Sequence, residues 1–252
     1  MAEQRERDAG VSGAIPVALV TGGGTGIGAA CCRALAAEGF RVAVHFRSSE
    51  EGALKLVAEL PDAFAIRADL ASQEAIDAMI VELRERAGRV DVLVNNAGTN
   101  VNAPILSMKL DDFDTVAGVG RGTWYLTKVI LRRFMLRRRF GRIINISSVV
   151  GHTGNPGQIP YTMMKAGLDA FTKSLAQELA GRDVLVNSVA PGFIQTEMTA
   201  DLADEVRESI LARIPQGRMG RPQEVAEVVA FLARHATYIN GSVIHVNGGL
   251  YG

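Results

Sequence analysis

Short apolar runs alternate with longer amphipathic stretches from Ile15 onward. Seven of the runs predict strands, at 16–21, 41–46, 63–68, 91–95, 142–147, 184–190 and 242–246. The segments between them have the length and the apolar spacing of helices. Because the strands are almost continuously apolar, they are typical of a parallel sheet that helices cover on both faces. The pattern therefore predicts an α/β fold built on a doubly wound parallel sheet.

Two predicted helices are marked by apolar residues at helical spacing. They contain Ile76, Met79, Ile80 and Leu83, and, behind Pro222, Val225, Val228, Val229 and Leu232. The longest departure from the alternation is the segment 191–221, which carries a short helical pattern at 202–213. In a doubly wound fold this segment would lie over the carboxyl ends of the strands, where ligands bind. We favour a substrate lid, with an ordinary loop insertion as the alternative.

Length and composition favour one globular domain, residues 15–252, behind a flexible segment 1–14. Apolar residues make up 48% of the chain and the net charge is zero, which gives no argument for nucleic acid or an anionic membrane as a partner. There is no apolar run of membrane-spanning length, and the four His have no metal-ligand spacing. Cys31 and Cys32 are adjacent in a predicted helix, so a disulfide between them is implausible and a reducing, cytoplasmic location fits.

A glycine-rich turn follows the first predicted strand, Thr21-Gly-Gly-Gly-Thr-Gly-Ile-Gly28, and a predicted helix follows the turn. Glycines let the backbone approach a pyrophosphate closely, and a helix N-terminus offers free N–H groups. The spacing Gly-x-x-x-Gly-x-Gly differs from the commoner Gly-x-Gly-x-x-Gly, and a flexible surface loop is the alternative. We predict a dinucleotide site that includes Gly22, Thr25, Gly26, Ile27 and Gly28.

The end of the second strand indicates which dinucleotide binds. An acidic residue there would bond the ribose 2′-hydroxyl of NAD, whereas Arg would accept the 2′-phosphate of NADP. The chain has Arg47 and Ser48 at this place, which favours NADP; the alternative is that Arg47 is a solvated turn residue. Asp69, after the third strand, would accept a bond from the adenine amino group or cap the following helix.

Tyr161 and Lys165 are four positions apart, and Ser148 precedes Tyr161 by thirteen residues. Spacing i, i+4 places the phenol and the ammonium on one helix face, where the positive charge favours ionisation of the phenol. A phenol, an ammonium and a hydroxyl together can protonate a carbonyl oxygen. The alternatives are a surface ion contact for the pair and a strand-end hydroxyl for Ser148.

The chain resembles the short-chain dehydrogenase/reductase family from Ile15 to its end. The motifs that carry the resemblance are Thr21-Gly-x-x-x-Gly-Ile-Gly28, Asp69-Leu70, Asn95-Asn-Ala-Gly98, Ser148, Tyr161-x-x-x-Lys165, Pro191-Gly192 with Thr196, and Val246-Asn-Gly-Gly249. The resemblance implies a Rossmann-type domain with strand order 3-2-1-4-5-6-7, a tetramer or dimer, and NAD or NADP without a metal.

The resemblance also implies the roles of the site residues. Tyr161 would give a proton to the substrate oxygen, Lys165 would bond the nicotinamide ribose, and Ser148 would polarise the carbonyl. Asn95 and Gly98 would shape the wall near the cofactor, and Ile194 and Thr196 would hold the carboxamide. The other positions that it assigns to the cofactor are Asp69, Leu70, Asn96, Ala97, Pro191 and Gly192.

The chain departs from the family at one position, where members commonly have an Asn that holds a water in a proton relay ending at the Lys. Counted back from Ser148, its position is Val119, whose side chain cannot bond that water. The surrounding run 117–122 contains three glycines, each costing a helix about 1 kcal/mol relative to Ala. We therefore predict a weak, kinked or absent helix here, with reduced turnover or an apo form that orders only with cofactor or a partner.

Within the family the chain is most similar to the 3-oxoacyl-acyl-carrier-protein reductases, on the segments 141–151, 190–196 and 245–251. In that group two basic positions near the mouth of the site dock the acidic carrier, and they fall on Arg139 and Arg182. Arg132, Arg133, Arg137 and Arg138 add local positive charge, or form an ordinary solvated helix face. The expected reaction is NADPH-dependent reduction of a 3-oxoacyl thioester, on the carrier or on CoA, by a homotetramer. The alternatives are a dehydrogenase of another ketone or alcohol, and a nucleotide-binding assembly subunit with little activity.

Overall fold

Seven parallel strands form one sheet in the order β3-β2-β1-β4-β5-β6-β7. The structure is a computed structural model that describes residues 14–196 and 204–252. The strands are β1 Val17–Val20, β2 Arg41–Phe46, β3 Ala63–Arg67, β4 Val92–Asn95, β5 Phe140–Ile146, β6 Asp183–Pro191 and β7 Val243–Val246. Each predicted strand is present, and the doubly wound fold class is confirmed. The order reverses between β1 and β4, which opens a crevice at their carboxyl ends.

Helices cover both faces of this sheet. They are α1 Gly26–Ala37, α2 Glu50–Glu59, α3 Gln73–Ala87, α4 Leu110–Ile130, α5 Val150–Thr153, α6 Ile159–Glu178, α7 Asp204–Leu211 and α8 Pro222–Arg234. Strand β1 shows why its run is wholly apolar: Ala18 and Val20 pack in the layer of α1 and α8, while Leu19 packs in the opposite layer with α3 and α4. No helix of the described ranges is long and apolar enough to cross a membrane.

Both helices marked by apolar spacing are confirmed. Helix α3 buries Ile76, Met79, Ile80 and Leu83. It begins where the Ser72 hydroxyl accepts from the Ala75 N–H at 3.2 Å, and it ends at Gly88, whose φ of 67° only glycine adopts without strain. Helix α8 has Pro222 in its first turn and buries Val225, Val229 and Leu232.

The predicted weak helix at 117–122 was wrong. Helix α4 runs unbroken through these residues, because the glycines lie where other elements come very close. A Cβ on Gly122 would lie 1.8 Å from the Leu70 carbonyl oxygen, and one on Gly120 would lie 2.8 Å from Met164 Sδ. Tertiary packing therefore requires small residues here and outweighs their poor helix propensity.

The departure from α-helical geometry comes later, at residues without glycine. A π-helical turn, Leu131–Met135, follows α4, and the Leu136 N–H donates to the Leu131 carbonyl at 3.0 Å. This turn holds one residue more than the hydrogen-bonded turn of an α-helix, and it lies just before β5.

Backbone hydrogen bonds join the beginning and the end of the segment 191–221. Gln195 N–H donates to the Gly220 carbonyl at 2.8 Å, and Gly220 N–H donates to the Phe193 carbonyl at 2.9 Å. Helix α7 occupies most of the helical pattern predicted at 202–213, although residues 197–203 lie outside the described part of the chain. The lid function stays a prediction, and of the predicted flexible segment 1–14 only Ala14 is described.

Candidate active site

The predicted site residues collect at the carboxyl edge of the sheet. The glycine turn follows β1, Asn96 to Gly98 follow β4, Ser148 follows β5, and Gly192 follows β6. Because all seven strands are parallel, segments that leave their carboxyl ends meet on one side of the molecule.

The glycine turn has the geometry of a phosphate cradle. Gly22 and Gly26 have φ of 62° and 52°, a region that other residues rarely adopt, and a Cβ on Gly28 would lie 2.1 Å from the Gly22 carbonyl oxygen. Helix α1 begins at Gly26, and the Thr25 side chain makes no capping hydrogen bond. The first-turn N–H groups of α1 therefore have no side-chain acceptor at the cap, which fits an anionic ligand such as a pyrophosphate.

His45 holds this turn in place, a role that the sequence analysis missed. Its Nδ1 accepts from the Gly22 N–H at 3.1 Å, and its Nε2 lies 3.1 Å from the Ala68 carbonyl, to which the Nε2–H tautomer donates. The ring is 2% exposed, and burial lowers the pKa of His45 to about 4. The ring is therefore neutral near pH 7, as an Nδ1 acceptor must be. A polar residue inside the apolar strand β2 was the signal available in the sequence.

Asn96 and Ala97 are tied to the glycine turn from the other side. Thr21 Oγ1 accepts from the backbone N–H groups of Asn96 and Ala97, both at 2.9 Å. The Asn96 amide donates to the Thr21 carbonyl at 2.9 Å and to the Gly22 carbonyl at 3.1 Å. In the described contacts Asn96 thus fastens the loop after β4 to the turn, and its contact with the cofactor stays a prediction.

The expected ribose end of the cleft lies beyond β2 and β3. Arg47 and Ser48 are exposed just after β2. Asp69 Oδ1 accepts from the Ala71 N–H at 2.9 Å, and Ser72, not Asp69, caps the next helix. The capping alternative for Asp69 is therefore wrong, while its bond to the adenine stays a prediction. Leu70 is buried, with its carbonyl against Gly122.

The structure places Tyr161 and Lys165 on one face of α6. The Lys165 ammonium lies 5.4 Å from the centroid of the Tyr161 ring and donates to the Ile146 carbonyl at 2.7 Å. Lys165 is 7% exposed, and a Cβ on Gly98 would lie 3.6 Å from its Nζ. The surface-contact alternative is wrong for this lysine, because its side chain is buried between β5 and the loop after β4.

Ser148 lies at the start of the turn that leads into α5. Its Oγ accepts from the Val150 N–H at 3.3 Å, which leaves the hydroxyl proton for another acceptor. The residue is half-buried, so the hydroxyl is neither in the core nor fully in solvent.

A cavity of about 210 Å³ reaches Tyr161 and Lys165 from between α4 and α6. Val119 and Gly120 are among its lining residues, together with Gly98. Val119 therefore lines the same cavity as Tyr161 and Lys165, and its isopropyl group stands where the family's pattern has an amide. Thr123 Oγ1 donates to the Val119 carbonyl at 3.0 Å, so this carbonyl has a second donor besides the helix.

Asn95 was expected to shape the cofactor wall. It is 2% exposed, and its amide donates to Thr127 Oγ1 at 3.0 Å and to Asn145 Oδ1 at 2.8 Å. These bonds fasten β4 to α4 and β5. Asn95 therefore supports the site from within the core.

Residues 192–196, at the beginning of the segment 191–221, pass beside the glycine turn. A Cβ on Gly26 would lie 3.4 Å from Thr196 Cγ2, and Ile194 is buried and pairs with Gly220. Gly192 packs against the backbone of Asn247, where a Cβ would lie 2.8 Å from Asn247 Cα. Contact of these residues with a carboxamide is a prediction that their position beside the cleft allows.

Arg139 and Arg182 lie together at the opposite, amino edge of the sheet. Arg139 directly precedes β5, and its guanidinium donates to the Gly181 carbonyl at 2.9 Å. Seven residues of β5, roughly 20 Å of extended chain, separate Arg139 from the side of Ser148. Within one chain the two arginines are thus not at the mouth of this site.

No group of three or more His, Cys, Asp or Glu in residues 14–196 and 204–252 has the arrangement to hold a metal ion.

Comparison with known proteins agrees with this geometry. A sequence model of the family described as "Enoyl-(Acyl carrier protein) reductase" matches residues 22–251, which include the glycine turn and the Tyr161–Lys165 pair. The chain belongs to the short-chain dehydrogenase/reductase family. Members of this family use a nicotinamide cofactor, and the phosphate cradle described above fits one.

Several curated short-chain dehydrogenases/reductases are similar over nearly their full length. The chain is 47% identical to the 3-oxoacyl-[acyl-carrier-protein] reductase FabG of Aquifex aeolicus, over 93% of this chain and 97% of the relative. It is 46% identical to the protein of that name from Staphylococcus aureus strain N315, again over 93% and 97%. The FabG of Haemophilus influenzae is 44% identical, over 93% and 98%.

Proposed function

We propose that the protein reduces a 3-oxoacyl thioester to the 3-hydroxyacyl thioester with NADPH. The observation that carries the proposal is the buried Lys165 beside Tyr161, at the edge of the sheet where the glycine turn and Ser148 also lie. The names of relatives that are 44–47% identical over nearly their full length support the substrate class.

When bound, the reduced nicotinamide supplies a hydride to the carbonyl carbon at position 3. The Tyr161 phenol donates its proton to the carbonyl oxygen, so that the product is an alcohol. The Ser148 hydroxyl donates a hydrogen bond to the same oxygen and stabilises the charge that develops on it. Lys165, anchored on the Ile146 carbonyl, holds its positive charge beside the Tyr161 ring, where it stabilises the negative charge that develops during proton transfer.

The decisive experiment follows NADPH oxidation with acetoacetyl-CoA. We expect turnover by the wild type and a loss of at least about 100-fold in Tyr161→Phe, because the variant keeps the ring and lacks the proton donor. Tyr238→Phe is the matched control, since Tyr238 is fully exposed and does not line this cavity, and we expect it to keep the wild-type rate. Full activity in Tyr161→Phe would contradict the assignment of the proton donor for any substrate.

Preference for NADPH is proposed from Arg47, which is exposed after β2 where a ribose phosphate would lie. We expect Arg47→Ala to lower kcat/KM for NADPH about 10-fold or more and to leave kcat/KM for NADH within about twofold. Equal losses with both cofactors would contradict a specific phosphate contact.

Docking of an acidic carrier protein on Arg139 and Arg182 is proposed on charge. Both side chains are exposed, and Arg132, Arg133 and Arg137 nearby are exposed as well. Because the carrier protein, and not CoA, would contact this surface, Arg182→Ala should raise KM for a carrier-linked substrate and leave KM for the CoA-linked substrate unchanged. An equal effect on both substrates would contradict docking. The cytoplasmic location and the homotetramer stay predictions.

Val119 is the reason to test the alternative of a nucleotide-binding assembly subunit with little activity of its own, which the reductases similar to this chain do not favour. The residue lines the cavity at Lys165 with a side chain that cannot bond a relay water. NADPH binding without oxidation by any ketone would support this candidate, and turnover with other ketones alone would support a different reductase. If the relay limits the rate, Val119→Asn raises kcat; an unchanged kcat would contradict that idea.

A further inference from the structure

Three aromatic rings form a cluster beside the turn that follows Ser148, and one of them, His152, contacts a buried carboxylate. The His152 ring stacks on Tyr251 with centroids 5.1 Å apart and meets His245 edge-on at 4.8 Å. Asp169, on α6, is 4% exposed beneath them. The four residues come from α5, α6, β7 and the C-terminal segment, and the proposed reaction uses none of them.

The carboxylate has one strong hydrogen bond and one electrostatic contact. Asp169 Oδ1 accepts from the Ser188 hydroxyl at 2.5 Å, and Asp169 Oδ2 lies 2.9 Å from His152 Nε2. The last two atoms are buried, and neither has a well-aligned hydrogen bond in the described structure. Among the described residues, their contact with each other is therefore the polar interaction available to offset the loss of water around both.

The arrangement differs from a nucleophilic triad. In a triad the imidazole lies between the hydroxyl and the carboxylate and takes the hydroxyl proton. Here the carboxylate lies between the imidazole and Ser188, so His152 cannot activate that hydroxyl. A role in holding the structure, not in proton transfer, fits this order.

The contact joins the two segments that carry the catalytic groups. His152 follows Ser148 by four residues, and Asp169 follows Lys165 by four residues on α6. The two segments also touch directly, because a Cβ on Gly151 would lie 2.9 Å from the Ala166 backbone nitrogen. A change in the His152–Asp169 distance would therefore move Ser148 relative to Tyr161 and Lys165.

We propose that His152 and Asp169 are positioning residues that fix the Ser148 turn against the helix of Tyr161 and Lys165, with Tyr251 and His245 packed on the His152 ring. The inference rests on the proposed function, since it concerns the spacing of that site's hydroxyl and phenol. Small displacements matter in such sites, where about 1 Å of misplacement costs up to about 100-fold in rate.

The test compares His152→Leu with His152→Gln, whose amide nitrogen can reach the place of Nε2. We expect kcat for acetoacetyl-CoA reduction to fall about 10-fold or more in His152→Leu with KM within about twofold, and His152→Gln to recover most of the loss. His235→Leu is the matched control, because His235 forms a more exposed contact with Glu38, at 3.3 Å, far from the site. A wild-type kcat in His152→Leu would overturn the proposal.

Two further measurements separate positioning from folding and from the proposed function. His152→Leu/Asp169→Leu removes the contact from both sides, and the Ser188 hydroxyl, which loses Asp169 as an acceptor, keeps the Asn145 carbonyl at 3.2 Å. We expect a folded protein with kcat still low, and a recovered kcat would overturn the proposal. Amide hydrogen exchange needs no substrate, so it tests the contact even if the wild type reduces nothing and the proposed function fails. We expect faster exchange at the amides of 151–154 in His152→Leu, and unchanged exchange there would overturn the proposal.

Discussion

Two glycine-rich segments, 22–28 and 118–122, hold their glycines for different physical reasons. In the turn after β1 the backbone itself needs glycine at Gly22 and Gly26, which have positive φ, while Gly28 is needed where it meets the Gly22 carbonyl. In α4 the backbone is ordinary helix, and the need comes from neighbours that approach Gly120 and Gly122. The need for glycine in a turn can thus be recognised from the local sequence, whereas the need for glycine in a helix is explained only by the residues that pack against it.

The largest effect should come from Gly122→Ala. Helix propensity alone predicts a gain of about 1 kcal/mol, but the new methyl group would meet the Leu70 carbonyl oxygen at 1.8 Å. We expect the free energy of unfolding to fall by about 3 kcal/mol, measured by urea denaturation. A variant as stable as the wild type would show that α4 can shift away from the loop that follows β3 with little loss of free energy of unfolding.

His45 should make the glycine turn sensitive to acid. Its folded pKa of about 4 lies below the ordinary 6.5, so the unfolded chain binds the proton first and stability falls as pH drops from about 6.5 to 4. We expect a loss of up to about 3 kcal/mol across this window, and a flatter profile in His45→Gln. Parallel pH profiles of the two proteins, measured by urea denaturation, would contradict a role for this ring.

Gly26→Ala tests the other segment. At φ of 52° the alanine is strained by about 1–2 kcal/mol, and its methyl group would touch Thr196 without a severe clash. We expect a modest loss of stability together with weaker NADPH binding, measured by titration of cofactor fluorescence. Unchanged cofactor affinity would mean that the turn does not need its present backbone conformation to bind phosphate.

The smallest effect, of opposite sign, should come from Gly167→Ala. Gly167 is a helical glycine like Gly122, but it is exposed and a Cβ there has nothing within 4 Å. The propensity gain of up to about 1 kcal/mol should therefore appear in urea denaturation. A loss of stability would show that this face of α6 is covered in solution.

What could be predicted from the sequence followed local rules. The strands were found because β-sheet residues buried on both faces are apolar throughout, and position 119 was placed correctly beside Lys165 by counting along the chain. The Leu70–Gly122 approach and the His152–Asp169 contact were missed because each joins residues that are distant in sequence and have no common spacing. Arg139 directly precedes β5, so its position on the amino edge of the sheet could be deduced as soon as the strands were assigned.

The π-helical turn at Leu131–Met135 divides the arginine run that follows α4. Arg138 turns inward, with its guanidinium 2.6 Å from Asp91 Oδ1 and 2.8 Å from the Val90 carbonyl, while Arg132, Arg133 and Arg137 stay exposed. One stretch of like residues thereby serves two independent constraints. Substitution of the outer three would change mainly the surface potential, whereas substitution of Arg138 would leave the fully buried Asp91 carboxylate with Arg89 as its one remaining arginine partner in the described structure.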